Sequence, residues 1–270
     1  MGLAALALVL GSALLHATWN VLLSRVPRGL DTTTVATALG LVAWTPLALA
    51  RWRVDRGVWP YLLVSAAFEL AYFATLNLAY ARAPAHATYP VARGLAPVLL
   101  LAVSGRAPAW AAVAVGAISA GVLLSWAGTW AGPARRRLTA WRTVSRRALL
   151  SAVPVAVCIA GYTFVDARGL RHADPATYLW LVMIPVVAGL VLTRGIREVR
   201  LVSLAVGLGV FGAYGLTLVA LSLVATAQVP AVAAVRESSI LFVLVLTRPS
   251  KLAALGGVLV FGGVVLLAVT

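Results

Sequence analysis

The chain has one cysteine, Cys158, and only seven acidic residues among 270. A lone thiol excludes an internal disulfide, a CxxC redox pair and a thiolate metal site. No Gly-rich phosphate loop with its lysine, no HExxH pair and no readable Ser-His-Asp set occurs, so neither ATP hydrolysis within this chain nor the corresponding hydrolase chemistry is supported. No basic residue precedes Arg25 and no cleavage site is evident, so the first apolar run reads as a span, not as a signal peptide. Charge of any sign is scarce, at 11% of residues, yet the balance is strongly basic, with a formal net charge of +15.

Apolar residues fill the space that charge leaves. They make up 62% of the chain, and the mean hydropathy is +0.99, far beyond an ordinary soluble domain. Ten apolar runs, each about as long as a helix must be to cross the hydrocarbon core, fall at 3–23, 33–50, 61–81, 84–104, 109–127, 148–167, 175–193, 201–224, 229–247 and 252–269. The expected fold class is an all-α integral membrane protein with ten transmembrane helices, multi-pass in a cell membrane, with a bacterial inner membrane as the expected location. The arginines gather at the ends of these runs, where anionic lipid and the insertion machinery favour them. The basic balance therefore reads as topology and implies membrane lipids, not nucleic acid, as partners.

Residues 128–147 carry six arginines, Arg135, Arg136, Arg137, Arg142, Arg146 and Arg147. This segment divides the chain into a first repeat of five spans (1–127), a basic linker (128–147) and a second repeat of five (148–270). A displacement of 143 positions brings Arg25 onto Arg168, Arg28 onto Arg171, Asp31 onto Asp174, Arg51 onto Arg194 and Arg93 onto Arg236. It also sets Trp19 on Tyr162 and Thr34 on Thr177, while a displacement of 142 aligns Arg106 with Arg248 and Gly121 with Gly263. Two halves with an odd number of spans lie in the membrane with opposite orientations, so a duplication here implies a 5+5 inverted repeat. Basic residues after odd-numbered spans outnumber those after even-numbered ones, chiefly through the linker, which puts the linker in the cytoplasm and both termini outside.

Polar residues inside spans mark the candidate site. Arg93 lies near the middle of the fourth span, where a guanidinium costs about 2.5–3.5 kcal/mol on insertion scales. His86, Tyr89, Pro90, Gly94 and Pro97 share its stretch and suggest a kinked helix with a polar face. His16, Trp19 and Asn20 share a face of the first span with Ser12. In the third, Glu69, Tyr72, Phe73, Leu76, Asn77 and Tyr80 recur at helical spacing as an aromatic stripe around one carboxyl group. The sixth adds Tyr162 and Asp166, and the ninth adds Arg236, Glu237, Ser238 and Ser239. Arg93 and Arg236, related by the internal displacement, are expected to face one cavity and bind a carboxylate, phosphate or phosphonate through their planar forks. Glu69 and Glu237 are the coupling candidates. Structural roles compete at each position, since Glu69 can neutralise an arginine, His16 can bond a carbonyl and the tyrosines can fill space. Small residues at Ala112, Gly116 and Ala120, and at Ala253 and Gly257, predict close packing of the fifth and tenth spans. Trp52, Trp59, Trp110, Trp126 and Trp130 read as interfacial anchors.

At HATWN (His16 to Asn20), YPVARGLAP (Tyr89 to Pro97) and RESS (Arg236 to Ser239) the chain resembles EamA-type members of the drug/metabolite transporter superfamily, with the 5+5 arrangement extending the resemblance over its whole length. The resemblance implies a ten-helix carrier of small metabolites, often an exporter, in which spans 1 to 4 and 6 to 9 form the cavity and spans 5 and 10 support it. Many relatives carry a glutamate in the turn after the fourth and ninth spans; SGRAP and LTRPS here do not, so no mechanism is carried over from it. The function expected is secondary-active transport of a small polar or anionic metabolite (amino acid, organic acid or phosphonate-like) by alternating access, coupled to a proton or counter-substrate, with no cofactor and no metal, by a monomer or homodimer. The competing expectation is a membrane-embedded enzyme acting on a lipid or head-group substrate, which would need an acid, base and nucleophile clustered near one interface.

Overall fold

A backbone that crosses hydrocarbon must satisfy its own N–H and C=O groups, and these apolar runs do so as helices. The computed structural model describes residues 1–24, 29–82, 85–105, 108–129, 134–196, 198–246 and 250–269; the side chains at 24, 29–31, 77, 80–82, 85–90, 126, 128–129, 134–149 and 243–246 lie outside the description. Among the described residues there are eleven α-helices: α1 (Leu3–Ser24), α2 (Gly29–Ala50), α3 (Trp59–Arg82), α4 (Ala85–Ser104), α5 (Ala109–Thr129), α6 (Ala134–Gly169), α7 (Pro175–Arg194), α8 (Leu201–Ser222), α9 (Val229–Arg236), α10 (Ser239–Leu246) and α11 (Lys251–Val269). With α9 and α10 counted as one interrupted span, they make ten. Seven helical stretches are long and apolar enough to cross a membrane, and large apolar side chains such as Val42, Leu63, Val113, Val258 and Phe261 point outward, where lipid would cover them. The chain is a multi-pass, all-α membrane protein.

Two of the expected boundaries differ. The ninth run is not a continuous helix: it breaks at Glu237 and Ser238, halfway along, immediately after Arg236. The sixth span continues a helix that begins at Ala134, so the second part of the basic linker is helical backbone. At 36 residues α6 is about 54 Å long, more than the hydrocarbon core accommodates, so its arginine-bearing start extends past the membrane.

The packing face of α5 also differs from expectation. Gly116 and Ala120 are exposed, whereas Ala114, Ile118 and Gly121 are buried against α11. A Cβ on Gly121 would fall 2.6 Å from the Gly256 carbonyl oxygen and within 2.8 Å of Val260, and one on Gly263 would fall 2.8 Å from the Ala114 oxygen and 2.6 Å from Ile118. The two helices therefore run antiparallel, backbone against backbone. Small residues recur so densely in α5 that more than one face satisfies the spacing, and only the partner selects between them. Elsewhere α1 packs on α8, α3 on α6, and α2 on α8, where a Cβ on Gly207 would meet the Ala36 oxygen at 2.2 Å.

The segments 51–58 and 170–175 are tied together at one end of the bundle. Val54 and Ala173 form an antiparallel bridge, flanked by Asp55 N–H donating to the His172 oxygen and Asp174 N–H donating to the Arg53 oxygen, both at 2.9 Å. Asp174 caps α7 by accepting from Ala176 N–H at 3.0 Å and pairs with Arg51 at 3.1 Å. Thr177 donates to the last carbonyls of α2, at Ala48 and Arg51. His172 stacks on Tyr61 and lies 3.0 Å from Asp55. The Gly57 N–H chiefly holds the Asp55 carboxyl below the usual aspartate value; burial opposes it, and His172 adds to the lowering.

Candidate functional site

Helices α1, α2, α3, α4, α6, α7, α8 and α9 surround a cavity of about 130 Å³; α5 and α11 contribute none of its described lining. The volume approaches that of an apolar cavity that admits benzene, about 150 Å³, so a ligand of a few heavy atoms fits. Ser12, His16 and Trp19 come from α1, Glu69, Tyr72 and Phe73 from α3, Arg93 from α4, Tyr162 from α6, Tyr214 and Thr217 from α8, and Arg236 from α9.

The cationic side is built at mid-span. Arg93 is near the middle of α4 and Arg236 ends α9 where the ninth span breaks, a place where helix termini and unwound backbone can meet a ligand. Both arginines are buried, and one carboxylate lies between them. Arg93 Nη1 donates to Glu237 Oε1 at 3.4 Å. Its Nε approaches Oε2 to 3.2 Å as an ion pair without directing its N–H at that oxygen. Arg93 Nη2 is 2.6 Å from His16 Nε2. A guanidinium only donates, so that nitrogen is the acceptor and the ring proton sits on Nδ1. Arg236 is held less tightly: Nε is 3.8 Å from Glu237 Oε1 and has no hydrogen-bond acceptor among the described residues. Trp19, edge-on to His16 with ring centroids 4.9 Å apart, likewise has a buried indole N–H with no acceptor among them. Two unmatched buried donors thus line the same cavity, and each leaves an uncompensated cost that an anionic ligand would remove.

The opposite side is acidic and aromatic. Tyr162 lies 6.1 Å from Tyr214 and 6.4 Å from Tyr72, ring centroid to centroid. Asp166, fully buried in α6, accepts from Tyr178 at 3.0 Å, from Tyr214 at 2.6 Å and from Ser65. Tyr214 and Glu69 both line the cavity.

Of the residues singled out from sequence, Arg93, Arg236, His16, Trp19, Tyr72, Tyr162 and Glu69 line the cavity, and Glu237 lies behind it as the partner of Arg93. Asn20 instead donates to its own helix, at the His16 oxygen, and Ser239 opens α10 outside the lining. The side chains of Asn77 and Tyr89 lie outside the described residues. Sequence reasoning missed Tyr214, which sits among glycine, alanine and leucine in a strongly apolar helix, and Thr37 and Thr217. It undervalued Asp166, whose role depends on three hydroxyls distant in sequence.

No family model and no curated protein matches the chain. The fold itself is shared: a solved structure described as "Crystal structure of protein", one of 24 matching chains, superimposes with a TM-score of 0.73 at 19% identity over 100% of this chain and 98% of the other. At that identity the likeness extends to the fold alone.

Proposed function

We propose that this chain is a secondary-active transporter of the EamA type, in the drug/metabolite transporter superfamily, that moves a small polar or anionic metabolite across the cell membrane by alternating access. The observation that carries the reading is the convergence of Arg93 and Arg236, from the middle of two spans, on one small cavity lined by eight of the ten spans. A ligand anion placed there would meet Arg236 Nε and the Trp19 N–H, both buried donors with no acceptor among the described residues. No nucleophile with an adjacent base stands near a membrane interface among the described cavity residues, which favours transport over lipid chemistry.

A 5+5 inverted repeat belongs to the same proposal, and the packing of α5 on α11 supports it. With a displacement of 142, Gly121 corresponds to Gly263, Ile118 to Val260 and Ala114 to Gly256. Gly121 approaches Gly256 and Val260, while Gly263 approaches Ala114 and Ile118, so each contact maps onto the other as a two-fold axis requires. The helices are antiparallel, so such an axis is perpendicular to them and in the membrane plane. The pairings of α1 with α8 and of α6 with α3 correspond in the same way.

Counterflow in proteoliposomes loaded in turn with amino acids, organic acids and phosphonates tests the function. Saturable counterflow for at least one of these classes is expected, and lost on adding a positive charge-free pair, Arg93→Gln with Arg236→Gln. Absence of counterflow for every class would overturn the reading.

A further inference from the structure

Away from Glu237 and its arginines, two more carboxyl groups are buried in the same bundle, and their surroundings differ from those of an ion pair. Asp166 is wholly enclosed, and every hydrogen bond described for its carboxyl comes from a hydroxyl: Ser65 of α3, Tyr178 of α7 and Tyr214 of α8. Glu69, one turn of helix beyond Ser65, is 6% exposed and lines the cavity. Tyr214 donates to Asp166 Oδ2 at 2.6 Å and lines the same cavity as Glu69. The two carboxyls act on each other electrostatically. The other titratable or charged groups facing them are Cys158 and Tyr162 of α6, Tyr178 of α7 and Arg236 of α9, with Arg93 of α4 and His16 of α1 elsewhere in the cavity wall. Arg236 acts on both acids only through space, and Arg93 is engaged by Glu237 and His16.

We propose that Glu69 and Asp166, bridged by Tyr214, form a proton-binding site separate from the arginine site, and that this site carries the coupling proton. Two neighbouring carboxylates without a contacting cation cannot both remain ionised cheaply away from water, whereas one proton on the pair lets a carboxyl donate where otherwise both would only accept. Tyr214 supplies the path between them, because a hydroxyl accepts from one carboxyl while donating to the other. Glu69 faces the cavity and exchanges the proton with water admitted there, and Asp166, anchored by three hydroxyls, keeps the pair in place. Loading forms one O–H bond on a carboxylate oxygen, and release breaks it, returning the proton to water on the other side. Nothing is oxidised or reduced. The coupling role rests on the transport reading above; the proton site itself does not.

Infrared titration of the full chain in detergent separates the two, because an un-ionised carboxyl gives a C=O stretch that a carboxylate lacks. The wild-type protein is expected to show that band at mildly acidic to neutral pH and to lose it as pH rises. Glu69→Gln and Asp166→Asn should each abolish or displace it, and Tyr214→Phe should move its midpoint by about one pH unit, the effect of one hydrogen bond to a charged group. Glu198→Gln, in the exposed segment before α8, should leave it unchanged. If Asp166→Asn does not fold, Glu69→Gln and Tyr214→Phe still decide. Absence of the band from the wild type, or an identical titration in Glu69→Gln and Tyr214→Phe, overturns the proposal. Counterflow without the band overturns the proton site alone; the band without counterflow supports the proton site and overturns the transport reading.

Discussion

Arg93 and Arg236 occupy corresponding places in the sequence, but their surroundings give them different work. Arg93 is already engaged on two sides, by Glu237 and by His16, whereas Arg236 meets Glu237 only at 3.8 Å beside the cavity. The difference traces to one position: Glu237 follows Arg236, and its counterpart after Arg93 is Gly94, so two arginines share a single carboxylate. Lysine preserves the charge and loses the fork. Arg236→Lys should therefore weaken binding of the transported anion by about ten- to a hundred-fold, the equivalent of a charged hydrogen bond of about 1.5–3 kcal/mol, with little change in thermal stability. Arg93→Lys should chiefly lower stability, because it releases buried Glu237 and His16 from their partner. Equilibrium binding and thermal unfolding of both variants in detergent decide this; equal affinity losses with equal stability would show that the two arginines are interchangeable.

The helices were largely legible because a bilayer imposes one length on every span, and the apolar runs from 3–23 to 252–269 match α1 to α11 to within a few residues at most ends. The break between α9 and α10 was not, since Arg236, Glu237 and Ser238 mark a polar point between VPAVAAV and SILFVLVL without saying whether the backbone there stays helical. Nor was the packing face of α5, where Ala114, Ile118 and Gly121 are no more distinctive in composition than Ala112, Gly116 and Ala120. Tyr214 was invisible for a related reason: one tyrosine in an apolar helix carries no sign of whether it faces lipid, core or carboxylate. The close approach of α5 and α11 makes a direct prediction. A Cβ on Gly256 would fall 2.3 Å from Ser125 N and 2.6 Å from the Gly121 oxygen, both backbone atoms that cannot move aside without parting the helices. Gly256→Val should thus cost about 1–3 kcal/mol as an overpacked contact, read as a lower unfolding temperature in detergent. Gly116→Val, whose Cβ meets nothing within 4 Å, should leave that temperature unchanged.

For the molecule as a whole, alternating access requires that something close one side of the cavity and later release it. The described structure offers a specific candidate in the union of segments 51–58 and 170–175, where the α2–α3 connection meets the α6–α7 connection. Its hydrogen bonds and the Arg51–Asp174 pair are local and partly exposed, with Arg51 64% exposed at its side chain. Pairs of this kind contribute at most about 1 kcal/mol each, so the union can open on the scale of thermal fluctuations and ligand binding. The attachment combines two backbone hydrogen bonds, a cap and a modest ion pair with apolar contacts at Val58, Leu170 and Ala173. The opposed backbones at Val54 and Ala173 also provide a place to lock it, because bridged residues lie at the separation a disulfide spans. In a Cys158→Ser background, Val54→Cys with Ala173→Cys should cross-link on mild oxidation, and the cross-linked protein should lose counterflow while the reduced protein regains it. Each single cysteine variant should be indifferent to oxidant. Full counterflow by a fully cross-linked protein would mean that these two connections move together through the cycle, and that the cavity opens by parting other elements.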